Sequence, residues 1–269
     1  MTYNKYIILF VLFIFVFIFY IYTHKNEKSH EKSHINEKSD ENSHENKKLD
    51  NNKKVFNIDG SIIKYPMFKE CYFDYNKYYP ELNIINENRE IILEELHSML
   101  NKDIWHSWIK EGGPDVVPLY FFGKWSTKGL KECPKTCEII KNIKNIKTVA
   151  FSKLSKKTQI HPHKGWGDLA NNILRCHYGL IVPPENGCVC DNWVIMHKND
   201  NWLVFDDSRM HSSFNYSDDD RYILIVDMKR PDNVKKGTSK VAYKQEVLNF
   251  INSFYDKNDI AEIKETIKL

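Results

Sequence analysis

Cysteine and glycine are both scarce in this chain of 269 residues, with 6 Cys and 10 Gly. So few cysteines exclude a small disulfide-dense protein, and so few glycines exclude a collagen-like chain. An excess of one charge is also lacking, because 39 basic and 36 acidic residues leave a formal net charge of +3. No basic patch alternates with aromatic side chains, so we predict no nucleic-acid partner. The hydrophobic content of 42% excludes a wholly disordered chain and is enough for one sizeable core.

The segment Tyr6–Tyr22 is strongly apolar and contains no charged residue, glycine or proline. A helix of this length would measure roughly 25 Å, which is at the short end of what spans a bilayer. Tyrosines at both ends suit the membrane interface. A cleaved signal peptide is disfavoured because no small-residue cleavage site precedes Thr23, and a core helix this apolar would need covering on every face. We therefore predict a single-pass membrane anchor, a transmembrane helix, in residues 1–23.

A charged segment of low complexity follows the predicted anchor. Residues 24–55 repeat the unit EKSH and contain almost no apolar side chains, so they cannot bury enough surface to offset the entropy of ordering. We predict that they form a disordered spacer. The remainder is predicted to be a catalytic domain in residues 56–232 and a helical extension in residues 233–269. The lysines that flank the anchor, counted alone, favour a cytoplasmic position for the domain.

The sequence pattern of the predicted domain changes from helical to strand-like along its length. Residues 88–100 place Ile92, Leu96 and Met99 on one face, as in an amphipathic helix. From about residue 147, short β-branched and aromatic runs alternate with Pro-Pro, Asn-Gly and Asn-Asp turn signals. These runs are KTVAFSKL, LRCHYGLIV, NWVIM, NWLVFDD and RYILIVDM. At least five strands predict a mainly β fold with flanking helices, either an antiparallel sandwich or a double-sheet jelly roll.

Histidines lie at the ends of two of the strand-like segments. His161 and His163 end one segment, and His211 comes just after another. Imidazoles from different strands suit a first-row transition metal. Either His161 or His163 could pair with His211 in such a site.

Arginines lie on two further strands. Strand alternation places Arg175 and His177 on one face, and Arg221 opens a strand whose other residues are almost all apolar. Two arginines on adjacent strands suit a dicarboxylate. A buried arginine could instead pair with a nearby acid such as Asp206 or Asp207.

Taken together, these stretches resemble the aspartyl/asparaginyl β-hydroxylase family of iron(II)- and 2-oxoglutarate-dependent dioxygenases. The resemblance covers about residues 78–232 and is carried by FSKL, HPHKGW, LRCHYGLIVP, WLVFDDSRMHSSF and RYILIVDMKRP. It implies a catalytic core with the fold of a double-stranded β-helix, a jelly roll. The segment between His163 and Arg175 is three residues longer than in the animal enzymes, and Cys133 and Cys137 are closer together than the family's paired cysteines.

The resemblance implies which residues bind iron(II). His163 and His211 match the metal ligands, and the Pro-His-x-Gly context favours His163 over His161. Most non-haem iron oxygenases add a carboxylate, usually two residues after the first histidine. Gly165 stands at that position here, which agrees with a family that lacks this carboxylate.

The resemblance also implies which residues bind the cosubstrate 2-oxoglutarate. Ser152 and Arg221 match the residues that hold its distal carboxylate, and Arg175 and His177 match those near its metal-bound end. Arginine offers a planar, always-charged fork that suits a carboxylate. We predict His163, His211 and Arg221 as the catalytic residues.

The implied reaction is hydroxylation of the β-carbon of Asp or Asn side chains in a protein substrate. It would consume O₂ and 2-oxoglutarate and release succinate and CO₂. The family also implies a type II membrane layout, with a lumenal domain in the endoplasmic reticulum, in contrast to the lysine count. A lipid acyl-chain hydroxylase at the membrane and a non-catalytic metal-binding protein are the alternatives. Retention of all the matching site residues disfavours the last of these.

Overall fold

The computed structural model describes residues 55–56, 62–63, 70–107, 113–242, 245–255, 259–260 and 262–263. The predicted anchor lies outside the described residues, and so does the predicted spacer up to residue 54. Within the described part of the chain, no helix is both long enough and apolar enough to cross a membrane.

Strands dominate the described residues. In chain order they are β1 (Val55–Phe56), β2 (Ile62–Ile63), β3 (Tyr72–Phe73), β4 (His106–Ser107), β5 (Asp115–Phe121), β6 (Lys124–Trp125), β7 (Ile146–Leu154), β8 (Thr158–His163), β9 (Ile173–Ile181), β10 (Asn186–Cys190), β11 (Trp193–Met196), β12 (Trp202–Phe205), β13 (His211–Asn215) and β14 (Arg221–Lys229). The helices are α1 (Tyr75–Tyr78), α2 (Asn83–Glu87), α3 (Arg89–Met99), α4 (Thr127–Glu132), α5 (Pro134–Ile140), α6 (Gly167–Ala170) and α7 (Gln245–Phe254), with a 3₁₀ turn at Pro80–Leu82.

Two antiparallel sheets form the body of the fold. The major sheet has the strand order β3-β12-β9-β14-β7-β5-β4, with β6 paired to β5, and the minor sheet has the order β11-β10-β13-β8. From β7 onward the chain passes repeatedly from one sheet to the other, which is the arrangement of a double-sheet jelly roll. The predicted mainly β fold with flanking helices is therefore confirmed for the described residues.

The five runs predicted as strands are found as β7, β9, β11, β12 and β14. The prediction of a turn at Asn186–Gly187 is wrong, because these residues begin β10. The chain turns just before them, at Glu185, whose φ is 56°. A glycine is needed at position 187 of this strand, because a Cβ there would lie only 2.8 Å from the Ile195 carbonyl oxygen on the neighbouring strand. Strand β5 was not predicted from the sequence either.

Helices α3 and α5 cover the face of the major sheet opposite to the minor sheet. Helix α3 buries Ile92, Leu96 and Met99 there, as predicted, against residues of β5, β7, β9 and β14. Cys133 and Cys137 lie in the same core as free thiols, and Cys133 Sγ is 3.0 Å from Met99 Sδ. The helices thus leave the other face of the major sheet to meet the minor sheet.

A buried side chain shapes the turn between β13 and β14. The Asn215 amide donates hydrogen bonds to the carbonyls of Leu154, Ser155 and Asp219 at 2.9–3.2 Å. Its Oδ1 accepts a 2.6 Å hydrogen bond from Ser217 Oγ. This turn delivers the chain to the start of β14, where Arg221 lies.

The segment after β14 is hydrogen-bonded to the connection between His163 and Arg175, which is three residues longer than in the animal enzymes. Ser239 Oγ donates a 2.6 Å hydrogen bond to the Gly165 carbonyl, and Gly167 N donates one of 2.8 Å to the Val241 carbonyl. Asn171 exchanges two further hydrogen bonds with the Ser239 backbone. The inserted residues are therefore held by the chain that follows the sheets.

One carboxylate holds α3 and α5 together. Glu95 accepts hydrogen bonds from Lys135 N, Thr136 N and Thr136 Oγ1 at 2.6–2.9 Å, at the N-terminal turn of α5. We expect Glu95→Ala to lower the free energy of unfolding by about 1–2 kcal/mol, because these donors and the positive end of the helix lose their anion. Urea denaturation measures the change. The exposed neighbour provides the control, and Glu94→Ala should stay within about 0.5 kcal/mol of wild type; equal losses in the two variants would contradict the assignment.

Candidate active site

A cavity of about 130 Å³ lies between the two sheets. All of the polar residues that the sequence analysis assigned to the site line it, and they come from five strands of both sheets: Ser152, His163, Arg175, His177, His211 and Arg221. Strand pairing explains their convergence, because β14 lies between β7 and β9 in the major sheet while β8 and β13 are neighbours in the minor sheet.

His163 and His211 face each other across adjacent antiparallel strands. Their Cα atoms are register partners, and their ring centroids are 4.2 Å apart. His163 Nδ1 lies 2.8 Å from the His161 carbonyl, and His211 Nδ1 lies 2.9 Å from the Arg209 carbonyl. A carbonyl only accepts, so both rings carry their proton on Nδ1 and keep the Nε2 lone pair available. His161 itself contributes a backbone carbonyl, and its side chain is exposed.

A carboxylate four residues before His211 lies beside this pair. Asp207 Oδ1 lies 3.4 Å from His211 Nε2, and Asp207 is almost completely buried. A Cβ on residue 165 would lie only 1.8 Å from Asp207 Oδ2. Gly165 is therefore required by space, because the Asp207 carboxylate occupies the place where a side chain at position 165 would begin.

The electrostatics of the histidine pair suit a cation. Burial lowers the pKa of His211 to about 4, although Asp207 acts to raise it, so the ring is neutral at pH 7. Its Nε2 lone pair lies 3.4 Å from Asp207 Oδ1, which accepts a hydrogen bond from Arg175 Nη1, and this carboxylate would also attract a cation bound at Nε2. Within the described residues, no group of three or more His, Cys, Asp or Glu side chains has the arrangement of a metal site. Two imidazole nitrogens with open positions beside them still fit iron(II), which imidazole binds well.

Arg221 is a buried cation that lacks an anion. It is 1% exposed, and among the described residues no carboxylate lies within ion-pair distance of it. Its Nη1 donates a 2.8 Å hydrogen bond to Ser213 Oγ, whereas its buried Nε has no partner. Burial lowers the pKa of Arg221 to about 10, so the guanidinium is still charged at pH 7. A buried, uncompensated charge beside a cavity fits a site for an anionic ligand such as 2-oxoglutarate.

Ser152 and His177 also line the cavity. Ser152 is almost completely buried and pairs in register with Ile223, two residues after Arg221 on β14. His177 Nε2 is buried without a hydrogen-bond partner. Burial, together with the positive charges around it, holds the pKa of His177 well below its ordinary value. The ring is therefore neutral, and its free nitrogen is available to a ligand.

Arg175 differs from Arg221 because its nitrogens already have anionic partners. Its Nε and Nη2 bind the two oxygens of Asp227 at 2.8 and 2.9 Å, and its Nη1 binds Asp207 Oδ1 at 2.6 Å. Thr148 Oγ1 also donates to Asp227, at 2.5 Å. Burial acts to lower the pKa of Arg175, but the two carboxylates outweigh it and raise the pKa. Arg175 thus fixes the position of Asp207 beside the histidine pair.

Several of these polar groups were not predicted from the sequence. Asp207 was considered only as a counter-ion, and that part of the interpretation is correct for Arg175. Asp227 and Ser213 carry a signal that strand alternation could have revealed, because they share a face with Arg221 and His211 respectively. His197 follows β11 and has no motif of its own, so nothing in the sequence placed it near Arg221.

Apolar side chains form much of the rest of the cavity wall, with Cys188 and Ser212 beside them. They come mostly from β5, β7 and β14, with single residues from β8, β12 and the position just before β5. The apolar lining residues are Pro114, Val116, Pro118, Phe121, Val149, Ala150, Ile160, Phe205, Ile223 and Ile225. The site therefore combines converging polar groups with an apolar wall, as ligand sites usually do.

Comparison with known proteins gives a family match. A sequence model described as aspartyl/asparaginyl beta-hydroxylase matches residues 86–231. Among curated relatives, the ornithine lipid ester-linked acyl 2-hydroxylase of Rhizobium tropici is 34% identical over 113 residues, which is 41% of this chain and 39% of that protein. The aspartyl/asparaginyl beta-hydroxylase of Mus musculus is 26% identical over 158 residues, 56% of this chain and 20% of that protein. The chain thus spans less than half the length of each relative.

Among solved structures, an oxidoreductase of the 2OG-Fe(II) oxygenase family from Burkholderia pseudomallei gives a partial match. The TM-score is 0.41 at 9% sequence identity, and the match covers 54% of this chain and 81% of that one.

The buried histidines make stability depend on pH. The pKa values of His177, His197 and His211 are all lowered in the folded protein, so the unfolded chain, whose histidines titrate near about 6.5, takes up these protons first as the pH falls. We expect the free energy of unfolding of the metal-free protein to decrease from pH 7.5 to pH 5.5, by up to about 1.4 kcal/mol per pH unit for each histidine. Urea denaturation at each pH measures it.

A matched pair of variants identifies the source of this pH dependence. His197→Gln should reduce it, because the amide does not titrate, whereas His97→Gln on the exposed surface of α3 should leave it unchanged. Stability that is constant or rises between pH 7.5 and pH 5.5 would contradict the prediction.

Proposed function

Because the chain belongs to the aspartyl/asparaginyl beta-hydroxylase family, we propose that it is an iron(II)- and 2-oxoglutarate-dependent dioxygenase. Its proposed reaction is hydroxylation of the β-carbon of Asp or Asn side chains in a protein or peptide substrate, with O₂ as oxidant and succinate and CO₂ as products. The observation that carries the proposal is the meeting, in one cavity, of two imidazole lone pairs and a buried guanidinium without an anion.

Each polar group has a role in this proposal. His163 and His211 would hold the iron through Nε2, because their Nδ1 atoms are engaged with backbone carbonyls. Asp207 would partly neutralise the metal charge from its position beside His211. The bound iron would supply the activation of O₂ and the oxidation of the substrate C–H bond.

The cosubstrate would lie between the histidine pair and Arg221. Arg221 would bind its distal carboxylate through the unpartnered edge of the guanidinium, with the Ser152 hydroxyl alongside. His177, with its free Nε2, would bind near the metal-bound end, where Arg175 also reaches the cavity. Binding of the carboxylate would also supply the anion that Arg221 lacks.

The nature of the cavity wall favours a second candidate substrate, the acyl chain of a lipid. Arg175 and Arg221 are the two arginines among the described lining residues, and no lysine is among them. The guanidinium of Arg175 already binds Asp207 and Asp227, and Arg221 is assigned to 2-oxoglutarate. A substrate carboxylate would therefore lack a free cationic partner, whereas a hydrocarbon chain suits the apolar wall. A relative of 34% identity is named as an acyl 2-hydroxylase of a lipid.

We also propose that the chain is attached to a membrane through residues 1–23. The support is the apolar sequence of Tyr6–Tyr22. A lumenal, type II orientation in the endoplasmic reticulum remains part of this proposal, and so does a single-pass topology. Protease protection of the domain in sealed microsomes distinguishes the lumenal from the cytoplasmic side.

Succinate formation tests the reaction and the substrate together. The full chain in detergent is supplied with iron(II), ascorbate, O₂ and 2-oxoglutarate, with Asp- and Asn-containing peptides in one series and an ornithine lipid in the other. Succinate that rises with a peptide, with one oxygen atom added to that peptide, supports Asp or Asn hydroxylation. The same result with the lipid alone supports the acyl-chain reaction. Absence of turnover and of 2-oxoglutarate binding contradicts the dioxygenase.

Removal of one imidazole ligand should abolish the reaction. We expect His211→Ala to lower iron(II) affinity more than about a hundredfold and to abolish succinate formation, since a single protein ligand would remain. The melting temperature should change by only a few degrees. His161→Ala is the control, because its side chain is exposed and the chain keeps the carbonyl that orients His163. Wild-type turnover by His211→Ala would contradict the ligand assignment.

Loss of the buried guanidinium should weaken binding of 2-oxoglutarate and leave the iron(II) affinity unchanged. We expect Arg221→Ala to raise the KM for 2-oxoglutarate on the order of a hundredfold, because a charge-assisted, desolvated contact is lost. Arg221→Lys should lose less, since it keeps the charge without the planar fork. Steady-state kinetics at saturating iron(II), with a separate iron titration, measure both effects. A selective loss of iron affinity in either variant would count against the assignment.

A further inference from the structure

Two buried histidines connect Arg221 to the other end of the proposed cosubstrate site. His177 Nδ1 is 3.1 Å from His197 Nε2, and His197 Nδ1 is 3.4 Å from Arg221 Nη1. The two imidazole planes are only 19° apart and their centroids are separated by 5.4 Å, so the rings meet edge to edge. His197 lies just after β11 and is 6% exposed.

The chemistry of these groups fixes the direction of every hydrogen bond in the chain. A guanidinium only donates, so His197 Nδ1 accepts from Arg221. Burial lowers the pKa of both histidines, so each ring is neutral and carries one proton. His197 therefore carries its proton on Nε2 and donates it to His177 Nδ1. His177 in turn must carry its proton on Nε2.

The last donor in this chain points at the ligand position. His177 Nε2 is buried, lines the cavity and has no hydrogen-bond partner. As an N–H donor it would attract an oxygen of 2-oxoglutarate, whereas the opposite tautomer would present a lone pair and repel it. The tautomer of His177 thus matters for binding. Among the described residues, His197 is the hydrogen-bond partner of His177 Nδ1 and therefore sets this tautomer.

We propose that His197 is a positioning residue for 2-oxoglutarate. It fixes the Nε2–H tautomer of His177, and it holds Nη1 of Arg221 so that the Nε edge of the guanidinium remains available to the distal carboxylate. The inference rests on the proposed function, since it takes 2-oxoglutarate as the ligand. Through His197, the groups proposed for the two ends of the cosubstrate are coupled.

The backbone around His197 is built to hold it in this place. His197 N donates a 3.1 Å hydrogen bond to the Asn186 carbonyl. The next residue packs on β9 at Gly179, where a Cβ would lie 2.0 Å from the Lys198 carbonyl oxygen. Gly179 therefore lets the loop approach β9 closely enough for His197 to reach His177, two residues earlier on that strand.

Two substitutions separate a positioning role from a packing role. His197→Gln keeps an oxygen that can accept from Arg221 and an amide N–H that can donate to His177, at a spacing similar to that of the two ring nitrogens. His197→Leu fills the space but has no polar atom. A packing role predicts similar behaviour of the two variants toward 2-oxoglutarate, whereas a positioning role predicts rescue by glutamine.

The first measurement determines the tautomer without any turnover. Long-range ¹H–¹⁵N correlation spectra are recorded on the full chain in detergent, labelled at histidine nitrogen and free of metal, and the His177 signals are those lost in His177→Gln. We expect the Nε2–H tautomer in wild type and His197→Gln, and a mixture of tautomers in His197→Leu. An Nδ1–H tautomer in wild type, or an unchanged tautomer in His197→Leu, would overturn the proposal.

The second measurement follows the cosubstrate. We expect His197→Leu to raise the KM for 2-oxoglutarate on the order of tenfold with a smaller change in kcat, and His197→Gln to return it to within about threefold of wild type. His97→Gln is the surface control. If wild type forms succinate but the KM for 2-oxoglutarate is unchanged in His197→Leu, the positioning role is overturned and the dioxygenase is still supported. If wild type neither binds 2-oxoglutarate nor forms succinate, the proposed function fails, and the positioning role for 2-oxoglutarate fails with it.

Discussion

The uncompensated charge of Arg221 is the constraint on which the site depends. A guanidinium that is buried between two sheets is costly unless an anion joins it, because the Coulomb attraction of a partner normally offsets the loss of hydration. The described residues offer Arg221 a hydroxyl and an imidazole but no carboxylate. The fold therefore carries an electrostatic cost that binding of an anion would relieve, and the proposed anion is 2-oxoglutarate.

The contrast with Arg175 and Arg230 supports this view. Arg175 pairs with Asp207 and Asp227, and Arg230 pairs with both oxygens of Asp206. These arginines are neutralised within the chain and serve the structure, with Arg175 also holding Asp207 beside the histidine pair. Arg221 alone among the three lacks a carboxylate within ion-pair distance in the described residues.

Much of the fold and of the candidate site could be predicted from the sequence. Strong β-branched runs predicted β7, β9 and β14, and the motifs identified the family, which the family match confirms. The assigned roles of the site residues stay predictions, although the structure brings those residues into one cavity. Strand β10 was missed because Asn-Gly is typical of a turn, whereas here close packing against β11 explains the glycine.

His197 was missed for a more general reason. Its partners lie on β9 and β14, and its position depends on a loop that rests on Gly179. Such a contact depends on tertiary packing, and no local pattern encodes it. Asp207 illustrates the intermediate case, because the acid was visible in the motif but its position beside Gly165 required the fold.

The central claim is that one cavity binds iron(II) through His163 and His211 and 2-oxoglutarate through Arg221. The most direct measurement is the visible metal-to-ligand charge-transfer band that appears when 2-oxoglutarate chelates iron(II), recorded without O₂ on the full chain. The account predicts a band in wild type that saturates with 2-oxoglutarate, is absent in His211→Ala, and requires far more 2-oxoglutarate in Arg221→Ala. A wild-type protein that binds iron(II) but develops no band, or a band that is unaffected by loss of Arg221, would contradict it.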